Sequence, residues 1–470
     1  MAGAANKSLW HAHTKSEFLT IARHAGTVMV GQLAVMAFSI TDTVVAGRFA
    51  DKALAALAVA TSIYVSVYVS LMGVMQALLP IYAELHGARQ YPQLGRTVRQ
   101  SLYLASVLVL LGMLLMLYPQ SLLRLAQVPP ELIPAIENYL GILAWALLPS
   151  VGFRMYSSLN QALDKPMFVT WLQVGSLGIK IPLTIWFAFG GWNLAPMGLA
   201  GCAWATFIVN WCMLLCALYM LQSRQLYQPL QLMRSIERPS WPVLRRFART
   251  GIPAGLAYLV EITSLTLMAL FVARLGVISA ASHQIAANMV GVAYMLPLAL
   301  SIACSARVSF WIGAGNPHSA SATARLGLGM AAILATIVAV LLWAAAQPIA
   351  ALYSLNPAVI AMAASLLSWV ALYHWFDALQ TMCAFVLRCY GVTLLPLAIY
   401  TIMLWGVGLA GGYNMAYSDG WWGTALRNVQ IFWITGAVAL SAVAAFLLLL
   451  FTRYTRSSVL SRSLVQPNSP

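Results

Sequence analysis

Long apolar runs separated by short polar segments divide this chain from one end to the other. About twelve can be marked, over residues 22–47, 53–82, 98–118, 133–157, 166–190, 197–222, 248–274, 282–312, 322–346, 357–388, 392–412 and 428–452. Their lengths suit helices crossing a hydrocarbon layer, which takes ~20 residues. Membrane strands would instead alternate in segments of about ten. A helix also pairs each backbone polar group locally, as a solvent without water demands. The pattern predicts an all-α polytopic membrane protein of about twelve transmembrane helices.

Composition agrees with this: 61% of the 470 residues are hydrophobic and 8% charged, against roughly 25% charged in soluble domains. The net charge of +15 would suggest nucleic acid in a soluble chain. Here the bases sit between apolar runs, chiefly before the first run and after the second, fourth, sixth and last. Lys15, Arg89, Arg96, Lys165, Arg224, Arg238, Arg246 and Arg453 are examples. The positive-inside rule then places both termini in the cytoplasm, and no nucleic-acid partner is expected. The start, MAGAANKSLWHAHTKSEF, has no apolar core, so no cleavable signal peptide is expected. All six cysteines fall inside apolar runs without metal-ligand company, and read as small core residues with no disulfides.

The longest internal polar segment, Ser223–Thr250, lies near the midpoint. It suggests an N-terminal six-helix lobe over 1–222, a cytoplasmic linker over 223–247, and a C-terminal six-helix lobe with its tail over 248–470. Gly26, Gly87 and Gly198 stand opposite Gly251, Gly315 and Gly423, at offsets of 225, 228 and 225. Near-constant offsets point to duplication. An even number of spans per half makes the lobes parallel repeats, which is transporter architecture. Trp421 and Trp422, before the last run, read as an interfacial belt.

Four ionisable residues lie near run interiors: Asp42, Lys180, Glu261 and Asp377. Such residues mark ion or substrate paths by default. Arg48, Glu84, Arg154, Arg274 and Arg388 lie nearer run ends and can snorkel. Lys180, in SLGIKIPLTIWF, has apolar residues on both sides, and a central lysine costs roughly 2.5–3.5 kcal/mol to insert. Tyr373 precedes Asp377 by four residues, one turn along the same helix face. A phenol and a carboxylate so placed can ligate a hard cation or hold a proton, and Glu261 joins them if its helix approaches. The functional reading is a carboxylate pair that takes up H⁺ or Na⁺ and gives it up to substrate. The alternative is hydrogen bonding between helices.

The segments FSITDTVVAGR, GIPAG, VEITS, ASHQIAANMV and YHWFDALQ, in this order, resemble the multidrug and toxic compound extrusion (MATE) family, NorM-like branch, from about residue 20 to 450. The resemblance implies two six-helix lobes in the bacterial-type inner (plasma) membrane, exporting amphipathic, mainly cationic drugs in exchange for Na⁺ or H⁺. It assigns ion coupling to Glu261, Tyr373 and Asp377, which could also ligate Na⁺, and an essential N-lobe acid to Asp42. His283, Gln284 and Asn288 match a polar motif that serves either ligand contact or helix–helix hydrogen bonding. Gly26 stands where relatives carry proline, Cys389 replaces a glycine, and Lys180 and Thr184 stand where relatives carry asparagines beside the N-lobe acid. Lys180 is therefore expected to pair with Asp42, completing an N-lobe polar site with Thr184. No cofactor beyond the coupling ion is expected, the other partners are membrane lipids, and a monomer is expected. Scattered histidines and the lack of a P-loop or nucleophile motif argue against an enzyme. The other reading is a flippase or exporter of lipid-linked, zwitterionic or anionic metabolites on the same superfold.

Overall fold

The computed structural model describes the backbone of residues 2–125, 128–191, 195–234, 237–420 and 423–463. Twelve helices in it are long and apolar enough to cross a membrane. In chain order they are α1 (Thr14–Phe49), α2 (Lys52–Gly87), α3 (Tyr91–Leu117), α4 (Ile133–Ala162), α5 (Pro166–Phe189), α6 (Leu199–Ser223), α7 (Trp241–Ala273), α8 (Val277–Gly313), α9 (Pro317–Ala344), α10 (Pro357–Cys389), α11 (Leu394–Tyr417) and α12 (Val429–Arg456). The hydrophobic runs locate all twelve but not their full lengths. α1 continues a helix that starts at Ala2, well before its apolar run. α2 is interrupted at Ala77, and α11 winds as a π-helix over Thr401–Ala410. The expected belt tryptophans, Trp421 and Trp422, lie outside the described residues.

The duplication is written most clearly in the helix ends. After α2, the amides of Ala88, Arg89 and Gln90 donate to the carbonyls of Glu84, His86 and Leu85. After α8, those of Ala314, Gly315 and Asn316 donate to Phe310, Ile312 and Trp311 in the same pattern. Both are Schellman-type caps, which need one residue with left-handed φ. That residue is Arg89 (φ 56°) in the first and Gly315 (φ 77°) in the second. The structural partner of Gly315 is therefore Arg89, and Gly87 corresponds to Gly313, which corrects the glycine pairing expected from sequence. Gly198 (φ 55°) and Gly423 (φ 101°) do share a left-handed conformation.

Packing repeats as well. α4 lies against α2, α3 and α6, and α10 against the equivalent α8, α9 and α12. Leu140, Leu143 and Leu147 centre the first core on α4. Leu366, Val370 and Met382 on α10, with Phe432 and Trp433 on α12, centre the second.

Two compact units result, and their limits differ from the expected division at the linker. One is Thr27–Gly255; the other joins Met1–Gly26 to Leu256–Pro470. Side chains explain both departures. In the second unit, Glu17 near the start of α1 pairs with Arg307 of α8 at 2.5 Å, with both side chains largely buried. Ile21, one turn on, is fully enclosed in that unit's core. In the first unit, the segment following α6 is strapped to the start of α3. Arg99 is bidentate on Glu237 and donates to the Gln231 carbonyl at 2.6 Å. Gln100 donates to the Arg238 carbonyl at 3.0 Å and accepts from the Ser240 amide at 2.7 Å. Tyr103 donates to the Glu237 carbonyl at 2.9 Å. A Cβ on Gly95 would stand 1.6 Å from the Leu230 carbonyl oxygen, so only glycine lets the strap lie this close. The start of α7 follows the strap onto α2, where Cβ atoms on Gly251 and Gly255 would meet the Val74 and Ser70 carbonyls at 2.8 and 2.7 Å.

The Arg99 guanidinium holds the Glu237 carboxyl down at about 2, below its ordinary 4.5. A depressed acid stabilises the fold above its unfolded value and loses that contribution only as pH falls through the folded one. The strap should therefore persist at pH 4 and open toward pH 2. Hydrogen exchange of the amides in 228–234 and 237–240 checks this. Glu237→Gln or Gly95→Ala should raise exchange there at neutral pH, leaving α9 and α10 unchanged.

Candidate functional site

Each unit carries buried ionisable groups within its apolar spans, and the two sets differ in kind. In the first unit α5 places Ser176, Lys180, Thr184 and Ala188 on a single buried stripe, spaced by four residues as a helix face requires. Lys180 is fully buried and Asp42 is 7% exposed. The Lys180 ammonium donates to Asp42 Oδ1 at 2.7 Å, Thr206 Oγ1 at 2.6 Å and the Cys202 carbonyl at 3.2 Å. An ammonium has three donors, and each has an oxygen. The Thr206 hydroxyl lies 3.4 Å from Asp42 Oδ2 and 3.0 Å from the Cys202 carbonyl. Thr184, the expected third member, is buried but makes no hydrogen bond to either charge. Thr206 on α6 takes that part, because α6 packs along the α5 stripe and turns Cys202 and Thr206 toward it. Tyr64 and Tyr139 lie within electrostatic reach of Asp42, and Tyr64 stacks on Tyr68 at 5.3 Å.

In the second unit α7 and α10 bring Glu261 and Asp377 within direct electrostatic reach of each other. Tyr373 feels both carboxylates, as do Tyr294 of α8 and Tyr400 of α11. The Tyr294 hydroxyl is hydrogen-bonded to Tyr258, one turn before Glu261. Asp377 and Tyr373 are 2% and 6% exposed, while Glu261 is half-buried. Gln380 Nε2 donates to Asp377 Oδ1 at 2.9 Å. Among the described residues no cationic side chain is ion-paired with Glu261 or Asp377. This is the main chemical contrast with Asp42.

The three residues of the α8 motif part company. His283 is buried, with its ring 5.5 Å from Trp433, and Trp433 meets the Tyr373 ring edge-on at 5.9 Å. Gln284 and Asn288 are exposed and bonded to each other at 3.2 Å. Sequence reasoning did not single out Tyr258, Tyr294, Tyr400, Thr206 or the Glu17–Arg307 pair. An arginine in the apolar run LSIACSARVSFW was the available signal for the last. Of the arginines nearer run ends, Arg154 donates to Gln76, and Arg388 lies over the Phe385 ring at 4.7 Å with 7% exposure.

Two six-helix repeats, each enclosing charged groups at the depth of its apolar core, define a polytopic membrane protein of the duplicated transporter type. The chain belongs to the MatE family, whose family model matches residues 28–186 and 253–413, one segment in each half. A "Probable multidrug resistance protein NorM" of Aromatoleum aromaticum is 38% identical over 394 residues, covering 84% of this chain and 85% of that protein. "Multidrug resistance protein PmpM" of Pseudomonas aeruginosa is 32% identical over 441 residues, covering 94% and 91%. Among solved structures, the eukaryotic MATE transporter AtDTX14 shares the fold with a TM-score of 0.84 at 20% identity, covering 95% of this chain and 99% of that one.

Proposed function

We propose that this protein is a cation-coupled antiporter that exports amphipathic, mainly cationic drugs by alternating access, using Na⁺ or H⁺ as the coupling ion. It works without covalent chemistry, as a multi-pass protein of the bacterial inner membrane with both termini in the cytoplasm. The observation that carries the reading is the difference between the two charged clusters. Asp42 has a built-in counter-ion in Lys180. Glu261 and Asp377 lie within electrostatic reach of each other, and Tyr373, Tyr294 and Tyr400 within reach of both. Two carboxylates so placed call for a cation from outside, and an exchangeable cation is what coupling requires. Drug resistance named for the relatives NorM and PmpM supports the substrate class. The Lys180–Asp42 pair then serves as a fixed charge pair, with ion exchange confined to the second unit.

The test is transport of a fluorescent lipophilic cation in proteoliposomes, with Na⁺ and pH gradients imposed separately. Movement against its own gradient under one of them is expected. No movement under either removes the antiporter reading.

A further inference from the structure

The turn from α4 into α5 and the chain leaving α6 border an open groove of about 440 Å³. Its lining is Lys165, Phe168, Ser223, Arg224, Gln225 and Leu226. Two of the six are cations and none is an acid. The backbone that carries these side chains is fixed. Arg224 directly follows the last residue of α6, and its amide caps that helix on the Met220 carbonyl at 3.1 Å. Tyr227, three residues on, donates to Asn160 Oδ1 at 2.7 Å in a buried hydrogen bond that ties this turn to the end of α4. The backbone of Lys165 is held at the start of α5 by its amide, which donates a hydrogen bond to the Asn160 carbonyl at 2.8 Å. The Arg224 guanidinium rests over the Phe168 ring at 5.5 Å.

Two like charges held on one groove repel each other, and an anion between them converts repulsion to attraction. Guanidinium, ammonium and the Ser223 hydroxyl together match a phosphate, since arginine and lysine both bind it and hydroxyls supply further donors. The groove stands where two apolar helices end, at the cation-rich end of the unit. Phe168 and Leu226 give it an apolar side, and Met167 and Trp171 continue an exposed apolar surface down α5 at 47% and 68% exposure. A basic pocket between spans on the positively charged side is where anionic headgroups bind. We propose that this groove binds the phosphate of an anionic phospholipid of the inner leaflet. A free phosphate shares the head chemistry but gains nothing from the apolar side. The site is independent of the drug cargo and of the coupling ion.

The test uses the full-length protein, delipidated in detergent and then mixed with phosphatidylglycerol or phosphatidylcholine, with retained lipid read by native mass spectrometry. Wild type should retain phosphatidylglycerol in preference. Lys165→Gln with Arg224→Gln should lower that retention about tenfold or more, while Lys165→Arg with Arg224→Lys keeps it. Unfolding temperature separates lost lipid from a lost fold. Equal retention by wild type and the glutamine variant overturns the proposal. So does displacement of the lipid by millimolar inorganic phosphate or glycerol phosphate, which would make the site one for free anions.

Discussion

Glu261→Gln, and separately Asp377→Asn, is expected to abolish gradient-driven export while leaving the protein folded and able to bind drug. Both substitutions keep the shape of the side chain and remove the charge that an exchangeable cation needs. Losing one charged ligand costs roughly 1.5–3 kcal/mol of ion binding, which is about 10- to 150-fold in affinity. Tyr373→Phe removes a neutral ligand and should cost about 0.5–1.5 kcal/mol, so its transport falls but persists. The Glu261–Asp377 double variant should be little worse than either single one, because the carboxylates act as one unit. Proteoliposome transport together with drug binding by fluorescence separates coupling from cargo recognition. Wild-type export by both single variants under either gradient would place coupling elsewhere in the molecule.

The second large effect concerns Lys180. Lys180→Ala leaves Asp42 buried without its counter-ion, and stranding one member of such a pair costs about 3–5 kcal/mol. Reduced expression and a lower unfolding temperature in detergent are expected, with transport lost in proportion to folded protein. Asp42→Asn combined with Lys180→Ala removes both charges and should be milder than either single change. The double-mutant cycle measures the coupling, and losses that simply add would mean that the two charges do not stabilise each other. Thr206→Val should be weaker, since it removes one of the three oxygens around the ammonium and leaves the ion pair in place.

Most of the fold could be read from the sequence, because lipid leaves few choices. A run of about twenty apolar residues must be helical to pair its backbone, and those runs located all twelve helices. Helix ends outside lipid obey local capping instead, which is why the early start of α1 was not legible; the interruption at Ala77 lies inside an apolar run, where hydropathy carries no signal of it. The repeat was visible but misregistered at Gly87. An arginine holds the left-handed cap position in the first half, and only backbone hydrogen bonds reveal that Arg89 is the partner of Gly315. For the candidate sites, charge in an apolar run was a sufficient signal for Asp42, Lys180, Glu261 and Asp377. The neighbours of those charges depend on which face of a second helix turns inward. That choice put Thr206 beside Lys180 instead of Thr184, and gathered tyrosines from α7, α8 and α11 near Asp377. Glu17 falls in the polar segment before the first apolar run, and its partner, Arg307, lies 290 residues away, beyond the reach of any local pattern.

The placement of Glu17 and Ile21 also bears on how the protein is made. Glu17 and Ile21 precede the first unit in the chain, yet Arg307 and the core that enclose them come after residue 256. The strap that closes the first unit is itself translated only after the sixth helix is finished. Neither half of the gene therefore encodes a self-sufficient body. A chain cut at the end of α6 would release a first fragment with no strap and a second fragment in which Arg307 lacks Glu17. Co-expressed fragments must find each other in the bilayer before either is complete, so the exchanged ends make two duplicated halves inherit and fold as one.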